Sequence, residues 1–230
     1  MAQHSSQPGD DQLTAFGKGV AIVSAVLILI CGTMFLLEGL TVPKEVPPIA
    51  EDRLGMITAA DLAPYFRGFS VNEEEEILTR KAGRLGVYEL GYEYAVVSSS
   101  GGIGVIQSGQ HILLSDYAAT KQFDQMAVGI GISLRIGVGT GFLALERNDI
   151  FAWGDESAYA LIQDDDAVIG SLLRVRHGNR IVTMTSVGVY IDDYIVADQI
   201  YGPILDRAFA YDPKTGTVPE ELESTARQLP

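Results

Sequence analysis

Hydrophobic and polar residues alternate along residues 85–97, which predicts a half-buried β-strand. The apolar residues fall on one side of that strand at a period of two: Tyr88, Leu90, Tyr92, Tyr94 and Val96. The segment SSSGG at 98–102 is typical of a turn, and residues 103–114 favour a second strand. The two strands therefore predict an antiparallel hairpin with a loose loop.

The second half of the chain repeats this kind of pattern. Strands are predicted over 154–162, 171–179 and 180–189, with Gly178-Asn179 as the turn of a hairpin. The acidic segment QDDDAVIG at 163–170 indicates a turn between the first two of these strands. We expect the group to form a hairpin or meander.

Helices are predicted between the strand groups. Thr58 can cap a short helix that carries Leu62 and Phe66, and Asp116 lies in the first turn of a helix over about 115–127. Another helix is expected from 192 to about 210, with a kink or a division at Gly202-Pro203.

Residues 128–145, VGIGISLRIGVGTGFLAL, carry five glycines among apolar residues. A phosphate-binding loop would need a fixed glycine spacing between a strand and a helix, and this spacing is missing. We expect a loop, or strands in which glycine permits close backbone packing.

Strands in antiparallel groups with helices between the groups predict an α+β fold, in which one antiparallel sheet packs against helices. The predicted domain covers 54–212. A flexible tail is expected over 213–230 and a proline-rich linker over 41–53.

The segment from Gly19 to Leu37 contains no charged residue. This length matches a bilayer core, so one transmembrane helix is predicted over 18–40, after a disordered cytoplasmic tail over 1–17. A cleaved signal peptide and a lipoprotein modified at Cys31 are alternatives that fit less well, because no suitable processing site follows the apolar core. We expect a signal-anchored, single-pass protein of the plasma (inner) membrane, with its C-terminal domain periplasmic or extracellular.

Charge and cysteine content narrow the possible partners. The chain has 16 basic and 30 acidic residues, a net charge of −14, which disfavours nucleic acid and anionic lipid. Its one cysteine, Cys31, lies in the apolar segment, so a disulfide or a thiolate zinc site is excluded from the rest of the chain. We expect no metal site and no cofactor.

Few residues indicate chemistry. His111 and His177 lack a paired-histidine motif, and we interpret them as one packed and one solvated side chain. The glutamates at 73–76 and the aspartates at 164–166 could bind calcium weakly, but solvated turns are the simpler interpretation. The serines at 98–100 lack the strand-to-helix setting of a nucleophile. No catalytic residue is predicted, and ligand-binding residues are unknown.

Two longer stretches carry a family resemblance. YELGYEYAVV followed by GGIGVIQSGQHILLSDYAATKQFDQM, and GDESAY followed by LLRVRHGNRIVTMTSVG, together cover about 85–210. They resemble the extracytoplasmic domains of bacterial cell-surface proteins related to PsbP, to DcrB and to the mycobacterial LpqN-type lipoproteins. This resemblance implies an accessory or binding role outside the cytoplasm and transfers no site residues.

The sequence thus favours a membrane-tethered, non-enzymatic accessory subunit or binding module, with possible membrane-protein partner subunits. One alternative is an envelope hydrolase with a site assembled from His111, Glu156 or the acidic turns. Another is a ligand sensor with an apolar cavity between sheet and helices.

Overall fold

The computed structural model describes residues 42–66, 71–83, 85–97, 103–137 and 142–219. Its strands are β1 (Lys44–Glu45), β2 (Ile77–Ala82), β3 (Tyr88–Val97), β4 (Ile103–Ile112), β5 (Phe142–Glu146), β6 (Glu156–Asp164), β7 (Ala167–His177) and β8 (Arg180–Val187). Its helices are α1 (Ala59–Leu62), α2 (Asp116–Gly137) and α3 (Tyr194–Ala210), with short 3₁₀ helices at Ala50–Gly55, Ala63–Tyr65 and Glu73–Glu75.

All eight strands belong to one antiparallel sheet with the order β1-β2-β3-β4-β8-β7-β6-β5. The sheet consists of two four-stranded meanders, β1–β4 and β5–β8, which meet where β4 pairs with β8. The predicted hairpin of β3 and β4 and the predicted strand β8 are confirmed. Strands β6 and β7 are also present, but both extend into residues 163–170, which were predicted as a turn.

The predicted α+β fold is wrong, because the structure is mostly one eight-stranded antiparallel sheet with few helices. The sequence pattern missed β1, β2 and β5, because two residues in β1 and five in β5 are too few to show a period.

The single-pass, signal-anchor description also needs correction. The predicted membrane helix at 18–40 lies outside the described residues. Among the helices that the structure does describe, none is long and apolar enough to cross a membrane. The longest, α2, carries charged residues, among them Asp116, Lys121 and Asp124.

The main core lies on one face of the sheet, which we call the front face. It contains Leu90 and Tyr92 of β3, Ile106 of β4, and Leu173 and Val175 of β7. Helix α3 covers this face, together with α1 and the 3₁₀ helix before it. Side chains of the sheet hold both covers in place, since Ser108 donates to the Ile57 carbonyl at 2.7 Å and Gln110 donates to the Ala208 carbonyl at 2.6 Å.

The segment predicted as a spacer at 41–53 contributes to this cover. Asp52 is fully buried and accepts hydrogen bonds from Arg80 at 3.0 Å and from the Tyr211 hydroxyl at 2.8 Å. A buried carboxylate needs such partners, and both are distant in sequence. Thr58 caps α1 as predicted and accepts a hydrogen bond from the Asp61 N–H.

The opposite, back face is partly covered by α2. Ala119 and Phe123 of α2 form a second cluster with Ile181 of β8. The helix starts at Asp116, close to the prediction, but continues through residues 128–137, where a loop or strands were expected. Residues after α3 are also ordered in part, because Tyr211 and Val218 are buried and Asp212 pairs with Thr217. Helix α3 itself is continuous across Pro203.

Candidate functional site

Strand β5 is the edge of the sheet and exposes apolar side chains. It pairs with β6 on one side, and no described strand pairs with its other side. Leu143 is 61% exposed and Leu145 is 44% exposed. Proteins usually protect such an edge with lysine, proline or a bulge within the edge strand, and the sequence FLALE of β5 has neither lysine nor proline.

The first turn of α3 exposes a second set of apolar side chains. Tyr194 and Ile195 are each 61% exposed, and Val196 is 41% exposed. Asp193 caps this turn through a hydrogen bond from the Val196 N–H at 3.0 Å. The cap fixes the helix start, so these three side chains are held on an ordered element.

Tyr159 of β6 connects these two sets. Its backbone carbonyl accepts from Arg147, directly after β5, at 2.8 Å, and its hydroxyl donates to the Ile191 carbonyl, before α3, at 2.6 Å. Leu145 lies opposite Leu161 of β6, which belongs to the front-face core. The segment after β5 and the segment before α3 therefore both contact Tyr159. We call the exposed side chains of Leu143, Leu145, Tyr194, Ile195 and Val196 the edge surface.

Acidic residues lie at both ends of β5. At its start, Phe142 pairs with Asp164, which opens the exposed hairpin tip Asp164–Asp166. At its end lie Glu146 and, beyond it, Asp149. The one basic side chain described there, Arg147, is held by Asp149 through two hydrogen bonds of 2.9 Å.

The Asp192 carboxylate adds to the acidic rim at that end. It lies before α3 and is close enough to Arg147 to raise the pKa of this guanidinium, although the hydrogen bond with Asp149 is the larger cause. The edge surface is thus apolar at its centre and acidic at its margins. Apolar patches with a polar rim are typical of protein-binding surfaces.

Sequence analysis missed this site. The glycines before β5 led to the expectation of a loop or relieved strands, and the exposed residues at the start of α3 were not distinguished from those that face the core. The sequence signal that could have indicated it is the run of tyrosine, isoleucine and valine directly after Asp192-Asp193. An amphipathic helix turns only one face to the core, so three consecutive apolar residues leave some of them exposed.

The two histidines lie on opposite faces of the sheet. His111 of β4 faces the back, where Gln122 of α2 approaches its Nδ1 at 3.3 Å. His177, at the end of β7, packs on the front side against Trp153 and Phe209. His111 is partly buried and His177 is exposed, which agrees with the predicted packed and solvated pair and prevents a shared site.

His177 does contact a carboxylate. Its Nδ1 lies 3.3 Å from Asp155, which also accepts from the Gly178 N–H at 2.7 Å. The Gly178 hydrogen bond is the largest cause of the lowered pKa of Asp155; burial opposes it, and His177 and Arg176 lower the pKa further. An aspartate can orient a histidine for proton transfer. Within the described residues, no hydrogen bond joins His177 to a hydroxyl.

The remaining predicted candidates have structural partners. Glu156 accepts from Arg176 Nε at 2.9 Å and Nη2 at 2.7 Å, so it is not a free acid. In the glutamate run, Glu74 and Glu75 are exposed, whereas the Glu76 side chain is buried and contacts Arg53 and Tyr92. Ser98–Ser100 lie outside the described residues. Within those residues, no group of acidic, histidine or cysteine side chains could hold a metal ion.

Arg174 of β7 is an unusual buried cation on the back face. Only 8% of it is exposed, and its Nε and Nη1 have no hydrogen-bond partner. Its guanidinium lies 4.1 Å from the centre of the Phe123 ring, and burial lowers its pKa. The aromatic contact compensates for part of the lost hydration.

Comparisons with known proteins add no assignment to this geometry. No protein-family model, no curated protein and no solved structure matches the chain. The resemblance to PsbP-, DcrB- and LpqN-related domains is therefore neither supported nor opposed by a match.

Proposed function

We propose that the chain is a non-enzymatic binding module, an accessory subunit that docks a partner protein on the edge surface. The observation that carries this proposal is the exposure of Leu143, Leu145, Tyr194 and Ile195. Complete burial of such a side chain is worth about 1.5–3 kcal/mol, and covering the exposed half of each would contribute roughly half of that.

The rigidity of the surrounding structure supports the same function. The strand β5 is paired along its length with β6, and the first turn of α3 is capped by Asp193. A preorganised surface loses little conformational entropy on binding, so more of the contact energy remains as affinity.

We also propose that the domain acts outside the cytoplasm. This inference comes from sequence alone, from the uncharged segment 19–37 that precedes a large C-terminal region. Protease added to intact cells, to cells whose outer membrane alone is permeabilised and to lysed cells tests it. Digestion of the domain only after lysis of the inner membrane would contradict an extracytoplasmic location.

Affinity purification of the tagged full-length chain in mild detergent tests the docking role. The comparison uses wild type, Leu143→Lys, Ile195→Lys and a matched control, Leu114→Lys, because Leu114 is 50% exposed but lies between β4 and α2. We expect mass spectrometry to find partner subunits in fixed proportion with wild type and the control.

The two edge variants should lose those subunits while keeping wild-type circular dichroism and thermal midpoints. Partners retained by both edge variants, or a chain that always purifies alone, would overturn the proposal.

A further inference from the structure

We propose that the partner contributes an extended segment that pairs with β5 as an additional antiparallel strand, with apolar residues at its centre and lysine or arginine at both ends. This inference rests on the proposed docking function and specifies the chemistry of the bound segment.

The backbone of β5 provides the first part of this recognition. Each of its five residues is paired to β6, so the strand is already held in register when a partner arrives. Within the described residues no strand pairs with its other side, so an added strand could form backbone hydrogen bonds there. Every neighbouring pair in the sheet is antiparallel, and an added strand of that direction continues the pattern.

The side chains specify the centre of the bound segment. Leu143 and Leu145 project to the front side of β5, since residues two apart share a face. Residues of the added strand that lie opposite Leu143 and Leu145 would therefore be apolar.

Charge specifies the two ends. The exposed tip Asp164–Asp166 lies at the start of β5, and Glu146 with Asp149 lies at its end. A basic residue at each end of the added strand would meet a carboxylate, whereas an acidic residue would be repelled.

The same charges disfavour a second copy of the chain. Antiparallel pairing of two β5 strands would bring the aspartate tip of one copy beside Glu146 and Asp149 of the other, so like charges would meet at both ends. They also disfavour an anionic membrane surface. The charge pattern thus favours a basic segment of another protein.

Peptide binding to the full-length chain tests the inference by fluorescence anisotropy. The probe is a labelled Lys-Lys-Val-Leu-Val-Leu-Lys-Lys peptide, capped at both termini. One control replaces both leucines by proline, which keeps the charge but removes backbone donors, and another replaces the lysines by glutamate. We expect each control to bind at least about tenfold more weakly, because strand pairing and end charges are both required.

Variants of the chain locate the bound peptide. Leu143→Lys should weaken binding of the lysine peptide at least about tenfold, and Asp164→Asn combined with Glu146→Gln should weaken it several-fold, whereas Leu114→Lys should leave it unchanged. Equal affinity for the proline control would show a purely electrostatic contact and would overturn strand addition.

A photo-crosslinking residue at position 143 identifies the occupant in the full-length chain. Crosslinks to the lysine peptide support the inference, and crosslinks to a second copy or to residues 19–37 of the same chain would overturn it. Failure of the peptide while partner capture still depends on Leu143 would refute strand addition alone. Capture that ignores Leu143 would refute the docking function itself.

Discussion

At the scale of single residues, the charged side chains buried in the domain depend on partners that only the fold supplies. The sequence patterns do not predict that the side chains of Asp52 and Glu76 are buried. Asp52 meets Arg80 because the 3₁₀ helix at Ala50–Gly55 packs on β2, and Glu76 meets Tyr92 because β2 pairs with β3. A carboxylate that looks solvated in sequence is buried when the fold supplies a cation or hydroxyl.

Arg174 is expected to reduce the stability of the domain. An unpaired buried guanidinium costs more than an apolar side chain of similar volume. We predict that Arg174→Met raises the free energy of unfolding by about 1 kcal/mol, measured by urea denaturation. The loss of the Phe123 contact is offset in part, because methionine sulfur also packs well on aromatic rings.

The matched control is Arg207→Met. Arg207 donates to Asp61 at 2.6 and 2.9 Å and to the Met56 carbonyl at 2.9 Å. Its removal takes away the only cation that the described residues place beside Asp61, which keeps its hydrogen bonds from Thr58, and should cost about 3 kcal/mol. Destabilisation of similar size in both variants would show that Arg174 is fully compensated in the native state.

His111 should make stability depend on pH. Burial lowers its pKa below its usual 6.5, while Glu89 acts in the opposite direction and Lys81 in the same one. Between the lowered pKa and 6.5 the unfolded chain binds more protons, so this contribution to stability is present above pH 6.5 and is lost as pH falls. We predict that the thermal midpoint of His111→Gln depends less on pH than that of wild type between pH 7.5 and 5.5, a range chosen around that usual value.

His177→Gln is the control for this experiment, since it also removes one imidazole, but from an exposed position. The pH slope should persist in that variant. A pH slope that disappears in His177→Gln and persists in His111→Gln would contradict the assignment of the effect to His111.

At the scale of elements, period and turn chemistry predicted the long strands and missed the short ones. The alternation in β3 and the Gly178-Asn179 turn between β7 and β8 were sufficient signals. The second half of α2 was not predictable, because each glycine costs about 1 kcal/mol in a helix and the local pattern favours a loop.

The turn between β6 and β7 offers a test of local strain. Asp165 has a φ of 53°, a left-handed conformation that costs a side-chain-bearing residue about 1 kcal/mol. We predict that Asp165→Gly maintains or raises the thermal midpoint. Asp166→Gly, at a position without positive φ, should lower it, because glycine only adds entropy to the unfolded chain. The reverse order of midpoints would contradict the turn geometry.

At the scale of the whole molecule, the chain builds one wide sheet and covers its front face from both ends of the domain sequence. Residues 50–62 and α3 meet there through Arg207, which donates to Asp61 and to the Leu54 carbonyl. These contacts between segments distant in sequence mean that the domain needs the residues before α1. The predicted start at residue 54 would exclude Asp52, which is fully buried.

Truncation tests whether the domain needs the residues before α1. A fragment of residues 43–219 is expected to unfold cooperatively, whereas a fragment of residues 58–219 should lack a sharp thermal transition. The shorter fragment loses Asp52, Met56 and Ile57, all fully buried. Loss of one large buried side chain alone costs about 2–5 kcal/mol. A cooperative transition of equal midpoint in both fragments would show that the segment before α1 is dispensable.

Partner capture is the most direct test of the proposed docking function of the edge surface. The measurement compares the subunits that co-purify with wild type, Leu143→Lys and the exposed control Leu114→Lys. We predict that the first and third chains capture the same partner in fixed proportion and that Leu143→Lys captures none. Equal capture by all three chains would contradict a docking role for the edge surface.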